Sequence, residues 1–396
     1  MLALESIKVL DLSRLAPGPY CTFLLGDLGA DILLIEEAPT SGGRFVTRGG
    51  GSPTGTGMGN RGTNTLARNK RSISLNLKTD EGRQVFLDLA KTADVVIEGF
   101  RPGVVKRLGV DYETVRGLNE RIVYCSLSGY GQDGPYANMV GHDINYISMA
   151  GALGMMGWPG TPPALPLNLL ADYAGGGLYA AFSILAALVS RSQTGKGQYI
   201  DVAMTDGVIS LLAPVAGQYF NTGQVPRPGN SLLTGSAPHY NSYETSDGKW
   251  LSIGSLEPWF YENLLHVLGC EEYLTQQNNA DLWPAMVARF RAEFRKRTRD
   301  EWLKLLTEVE ICVAPVYELD EVFDDPHVKH RKMVIEVDHP EFGKLRQVGV
   351  GAKFSDTPGS VRSLAPSRGE HTDAVLRGLH RSEDEIAALR ASGAVA

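Results

Sequence analysis

Two stretches of the chain set a group able to carry a proton at the edge of an apolar run. Residues 140–151 read VGHDINYISMAG and residues 171–182 read ADYAGGGLYAAF, so His142 and Asp172 each have glycine beside them or close after them. Such groups are candidates for general acid and base work. Each also has a plainer explanation. Asp172 precedes a long apolar helix and fits a helix N-cap, and His142 fits a satisfied, half-buried histidine. The run Gly175, Gly176 and Gly177 tilts the balance toward function, because three glycines weaken a helix and point to something that approaches its backbone closely.

Other chemistry-bearing patterns are weaker. GMGNRG (57–62) matches the literal glycine pattern of a dinucleotide loop, but it lies in RGGGSPTGTGMGNRGTN, with no strand before it and no helix opening on it, and reads as a loop. Asp324, Asp325, His327 and His330 in DDPHVKH could share a metal, yet no second ligand cluster supports one, and a loop entering a helix at Pro326 explains the same residues. Cys21, Cys125, Cys270 and Cys312 are scattered with no C-x-x-C pair, which favours free and mostly buried thiols in a reducing, cytoplasmic setting.

The elements that must position these residues follow a parallel α/β rhythm. SIKVLDLS (6–13), DILLIE (31–36), SISLNL (72–77), DVVIEGF (94–100) and IVYCSLSGYG (122–131) read as strands, and PYCTFLLGDLGA and DEGRQVFLDLAKTA as helices, the latter capped near Thr79 or Asp80. From about residue 225 the texture changes to a hairpin turning at Asp247-Gly248 and then helices over 258–308, a second, smaller domain. The tail from 366 is helical and expected to pack back on the first domain. With 396 residues there is length for one large and one small domain, and a formal charge of −7 argues against nucleic acid as the main partner. No signal peptide is visible, and the longest apolar run, 178–189, is too short to span a bilayer and reads as a buried helix.

GYGQDGPYANMVGHDINY, NLLADYAGGGLYAAFSILAAL and SIGSLEPWFYENLL together resemble the α-methylacyl-CoA racemase branch of the family III CoA-transferase superfamily. The resemblance extends through KVLDLSRLAPGPYCTFLLGDLGAD, ARNKRSISLNLK, VIEGFRPGVVKRLGV and SQTGKGQYIDVAMTDG to GEHTDAVL, essentially the whole chain. It implies an interlocked homodimer with a large Rossmann-like domain built from both chain ends (1–224 and 336–396), a small α+β domain between them (225–335), and an active site shared between subunits. The substrate it implies is an acyl-CoA thioester, with no separate cofactor.

By the same resemblance, His142 and Asp172 match the two acid/base positions that exchange the proton on the carbon beside the thioester carbonyl. Glu257 matches the partner of the catalytic histidine, Tyr240 the contact of the aspartate, and a backbone N–H near Asp143 the donor to the enolate oxygen. CoA phosphates need a local basic patch on an acidic chain, and the clusters Arg68, Lys70, Arg71 and Arg101, Lys106, Arg107 lie in the family's blocks, which singles out Arg68 and Arg101. The chain departs from the family at IEEAPTSGG and in a longer glycine-rich insertion over 48–62, both of which bear on the adenine end. Two other functions stay open: a transferase in which Asp172 is the nucleophile that forms acyl-aspartyl intermediates, and a noncatalytic CoA-binding protein. His142 and Glu257 favour racemisation, since a transferase needs no second acid/base. Met149, Met155 and Met156 fit a pliable acyl lining and ordinary core packing equally well.

Overall fold

The computed structural model describes residues 1–41 and 64–396; the glycine-rich stretch 48–62, with GMGNRG, lies outside the described residues. The chain divides into two compact units, one of residues 1–150, 166–211 and 330–396, the other of residues 151–165 and 212–329. The second unit thus begins earlier than the change of texture at 225, and also takes in a short segment upstream.

The first unit is built on β1 (Lys8–Asp11), β2 (Asp31–Glu37), β3 (Lys70–Leu75), β4 (Val95–Glu98), β5 (Val123–Ser128) and β6 (Tyr199–Ala203). They form one sheet in the order β3-β2-β1-β4-β5-β6 with every pair parallel. This is a Rossmann-type order, and it puts a topological switch point between β1 and β4, where ligands enter over the carboxyl ends of the strands. Helix α1 (Pro17–Asp27) links β1 to β2, and α2 (Asp80–Ala90) is capped by Thr79, whose Oγ1 accepts the Gly82 N–H. Leu10, Leu33, Ile73, Phe86, Val96 and Tyr124 form the core on one side of the sheet. The chain end joins it: α9 (Thr372–Gly378) and α10 (Glu383–Ala391) add Val375, Leu376 and Ile386, and Val395 bridges to Leu75 at the sheet edge.

Helix α3 (Asp143–Met149) follows β5. A π-helical segment, Leu169–Leu178, then runs directly into α4 (Tyr179–Thr194). Together these make a 26-residue helix with an 18-residue stretch of mean hydropathy 1.5, the one helix among the described residues long and apolar enough to cross a membrane, and longer than the apolar run 178–189 that the sequence predicts. Its glycine run is enclosed by protein. A Cβ on Gly175 would come within 2.9 Å of the Val208 nitrogen, and one on Gly177 within 2.6 Å of the Pro17 carbonyl oxygen. What approaches the glycine run is therefore α1 and α5 (Met204–Leu211).

The second unit carries the antiparallel sheet β7 (Tyr240–Glu244), β8 (Trp250–Gly254) and β9 (Val313–Val316), with the turn at Asp247-Gly248 that the sequence predicts. Helices α6 (Pro258–Leu268), α7 (Trp283–Phe294) and α8 (Arg299–Leu306) cover it, burying Tyr243, Leu251, Phe290, Phe294 and Trp302. A further hairpin, β10 (Val334–His339) and β11 (Gly343–Val348), belongs to the first unit.

Candidate active site

The loop from β5 to α3 is pinned at several points. The Gly131 N–H donates to Ser128 Oγ, the Gln132 N–H to Asp201 Oδ2, and the Tyr146 hydroxyl to the Gly141 carbonyl at 2.6 Å. Gly141 is required by this packing, since a Cβ there would meet the Tyr146 ring at 2.7 Å. The loop delivers His142 to the N-cap of α3 in extended conformation, its N–H donating to Asn145 Oδ1 at 3.0 Å, and leaves its imidazole exposed.

Asp172 lies one turn inside the π-helical segment, which starts at Leu169, so it is not the N-cap that its position before an apolar run predicts. Capping comes from elsewhere in the chain. Asp143 Oδ2 accepts the N–H groups of both Ala171 and Asp172 at 2.8 Å, and so satisfies two of the donors that a helix start leaves open. The Asp172 carboxyl is half-buried and accepts from Asn168 Nδ2 at 3.0 Å. Burial raises its pKa; the Asn168 hydrogen bond works against this, Asp143 reinforces it, and His142 opposes it. His142 and Asp172, thirty residues apart in sequence, thus lie within electrostatic reach of one another. Tyr146, pushed up to about 12 mainly by burial, also feels Tyr130, Asp172, Arg101 and Asp143. The structure therefore brings His142, Asp143, Asp172 and Arg101 into one neighbourhood. Asn168 and Tyr146 join them unforeseen, although Asn168 was legible as a polar residue one helical turn before Asp172.

The basic residues divide sharply. Arg101 and Lys106 are exposed, with no ion pair among the described residues. Arg68 is not part of such a patch. Its side chain is fully buried, its Nε and Nη2 donating to Asp27 at 3.0 and 2.5 Å, Nη1 donating to the Val348 carbonyl, and its plane lying over Phe23. Every donor face is engaged with protein, so Arg68 ties α1 to β11 and is unavailable to a phosphate. Lys70 is buried as well, 3.5 Å from Asp11 and donating to Thr22 Oγ1 and the Pro19 carbonyl, while Arg71 pairs with Asp31.

A cavity of about 510 Å³ opens over the carboxyl ends of β1, β2 and β3, lined among others by Arg14, Glu37, Lys78, Phe100 and Arg107. It sits where the strand order predicts a nucleotide-like ligand, with an aromatic ring and cationic side chains on its walls. Arg14 donates to Glu37 at 2.9 Å and lies over Phe100, so the acidic pair at the end of β2 is partly neutralised within the cavity. Arg14 and Lys78 escaped the sequence reading because neither stands in a basic cluster.

In the second unit, Tyr240 opens β7 and lines a pocket of about 720 Å³ with Trp158, Leu233, Ile253 and Cys312. Glu257 is the N-cap of α6 and half-exposed; burial, with a contribution from Glu257, raises the Cys312 thiol pKa. Cys312 is exposed, whereas Cys21, Cys125 and Cys270 are buried, and all four are free. In the DDPHVKH stretch, Asp325 Oδ1 accepts the N–H groups of His327 and Val328, a capping role, and no metal-binding cluster occurs among the described residues.

A family model described as CoA-transferase family III matches residues 4–372. The chain is 37% identical to an alpha-methylacyl-CoA racemase of Homo sapiens over 388 residues, 97% of this chain and 95% of the human one. It is 34% identical to the succinyl-CoA–L-malate CoA-transferase beta subunit of Chloroflexus aurantiacus, covering 95% of this chain and 94% of that one. A crystal structure of a CAIB/BAIF family protein from Brucella suis superposes with a TM-score of 0.80 at 29% identity, covering 96% of this chain and 99% of the other.

Proposed function

The chain belongs to CoA-transferase family III, and within that family we propose that it is a racemase that inverts the α carbon of 2-methylacyl-CoA thioesters. The observation that carries this reading is that His142 lies within electrostatic reach of a half-buried Asp172 whose carboxyl pKa is raised, in a chain whose near-full-length relatives include an α-methylacyl-CoA racemase.

Inverting the α centre needs one group to take its proton and another to return one from the opposite face. With one enantiomer, neutral His142 is the base and protonated Asp172 the acid. With the other, the Asp172 carboxylate is the base and imidazolium His142 the acid. Each turnover moves one proton from one residue to the other through an enolate, so the charge of the pair is conserved and no redox or acyl-transfer cofactor is called for. A raised Asp172 pKa suits a carboxyl that must be an acid in one direction and a base in the other. The Asp143 N–H, at the first position of α3, is the donor we assign to the enolate oxygen, where the helix terminus favours negative charge. The CoA nucleotide is assigned to the cavity lined by Arg14, Lys78, Phe100 and Arg107, with Arg101 toward the phosphates.

Glu257 and Tyr240 complete the site from the second unit of a partner subunit, Glu257 orienting His142 and Tyr240 contacting Asp172. In support of a homodimer, the first unit leaves Leu178, Phe182 and Val189 at 52%, 65% and 61% exposure along one stripe of its long helix. Their spacing of four and seven residues repeats on one helix face, which a second copy would cover.

The test is incubation with a single enantiomer of a 2-methylacyl-CoA in deuterated water with no acyl acceptor. Deuterium should enter the α carbon as stereochemical purity is lost. His142→Ala and Asp172→Ala should each abolish inversion, and any exchange that survives should favour opposite enantiomers in the two variants. Transfer of CoA to a free carboxylate without α exchange would instead identify a transferase that uses Asp172 as nucleophile.

A further inference from the structure

Asp143 is 4% exposed, and its two carboxylate oxygens stand in different situations. Oδ2 accepts the N–H groups of Ala171 and Asp172, both at 2.8 Å. Oδ1 is buried and has no hydrogen-bond partner, and Asp143 has no ion pair among the described residues. Here the cap is supplied from 28 and 29 residues away in sequence, by the residue immediately after His142, and one of the two N–H groups it holds belongs to Asp172, the other half of the pair.

We propose that the Asp143 side chain is the positioning residue of the acid/base pair, clamping the Asp172 backbone to the turn that carries His142 and holding an unpaired carboxylate beside the Asp172 carboxyl. The proposal rests on the racemase reading for its catalytic consequence but not for its geometry. It gives one residue two separable actions. Through Oδ2, the distance between His142 and Asp172 is set by a single residue step from His142 plus two hydrogen bonds, and does not depend on the intervening loop. Through its charge, Asp143 disfavours a second negative charge at Asp172 and so keeps that carboxyl protonatable.

The other groups around Asp172 do not duplicate this charge. Asn168 donates a hydrogen bond that favours the carboxylate, and His142 does the same electrostatically. Tyr146 interacts with it from α3, itself under the influence of Tyr130 and Arg101. At its glycine run the same helix is met from α1 and α5 by Pro17, Tyr20, Met204 and Val208, none of them charged. Among the described residues, burial and Asp143 raise the Asp172 pKa, against Asn168 and His142.

Asp143→Asn separates the two actions. The amide oxygen can still accept both N–H groups, whereas the negative charge is gone. In the free protein, carboxyl NMR of labelled aspartate should show the Asp172 midpoint falling in Asp143→Asn, with the thermal transition close to wild type. In turnover, the pH profile of kcat/KM should move to lower pH for both enantiomers together, because the equilibrium constant between them is fixed by the substrate. Asp143→Ala should lose the cap as well, and show a kcat below that of Asp143→Asn when each is measured at its own pH optimum. An Asp172 midpoint unmoved in Asp143→Asn would overturn the electrostatic part whatever the enzyme catalyses. Equal kcat in Asp143→Ala and Asp143→Asn, each at its optimum, would overturn the clamp. If wild type fails to exchange the α proton yet the midpoint moves, the reaction assignment falls and the proposal about Asp172 stands.

Discussion

Arg68→Ala tests most directly whether a basic residue in this chain holds the fold or the ligand. The wild-type guanidinium sits at 0% exposure and the Asp27 side chain at 4%, joined by two donors at 3.0 and 2.5 Å. Removing the arginine leaves Asp27 with the Asn69 amide at 2.9 Å as its remaining side-chain donor, deprives the Val348 carbonyl of its guanidinium donor, and uncovers the Phe23 ring. Breaking one side of a buried pair in this way costs about 3–5 kcal/mol, because the partner's charge stays buried without compensation. For a unit of this size each kcal/mol is worth about 2–4 °C, so the transition of the first unit should fall by about 6–20 °C. Asp27→Ala should cost a similar amount, and the double variant less than the sum, since the second substitution removes the orphaned charge that the first creates. The assays are thermal and urea unfolding of the three variants, with calorimetric titration of CoA into the fraction that stays folded. CoA affinity should be unchanged in that fraction. A destabilisation below about 1 kcal/mol together with lost CoA binding would refute the reasoning and return Arg68 to the ligand site.

Arg101→Ala should do the reverse, weakening CoA-thioester binding by about ten-fold with stability within about 0.5 kcal/mol of wild type, since an exposed cation without an ion pair is removed; isothermal titration alongside unfolding checks both halves. Glu98 is buried at the end of β4, its carboxyl pushed up to about 7 chiefly by burial, against hydrogen bonds from Ser126 and the Phe100 N–H. A folded-state pKa raised from 4.5 to about 7 means that its stabilising protonation is fully present below about pH 4.5 and lost as pH rises to 7, a swing of about 3 kcal/mol. Urea unfolding at several pH values should show this decline in wild type and its absence in Glu98→Gln; parallel pH curves for the two proteins would contradict it.

The sequence by itself determined the scaffold, and for local reasons. β1, β2, β4 and β5 are short apolar runs closed by glycine or polar residues, α2 carries a threonine cap and an apolar face, and Asp247-Gly248 permits the left-handed glycine that its hairpin uses. The strands read less easily were β6, where YIDVA mixes polar and apolar positions, and β9, which contains a proline. His142 and Asp172 were legible as unusual residues, and their pairing came from a family resemblance rather than from any property of the two segments. Only the tertiary structure decided what each charge does. ARNKR looks like a uniform basic patch, yet Arg68 and Lys70 turn inward because Asp27 and Asp11 wait on distant segments, while Arg71 meets Asp31 at the surface. Asp172 looks like a helix cap, yet its helix starts three residues earlier because Asp143 supplies the cap from α3. The physical reason is the same in both cases: a buried charge or an open helix end is stable only with a partner, and the partner is chosen by proximity in space, which a linear pattern does not encode.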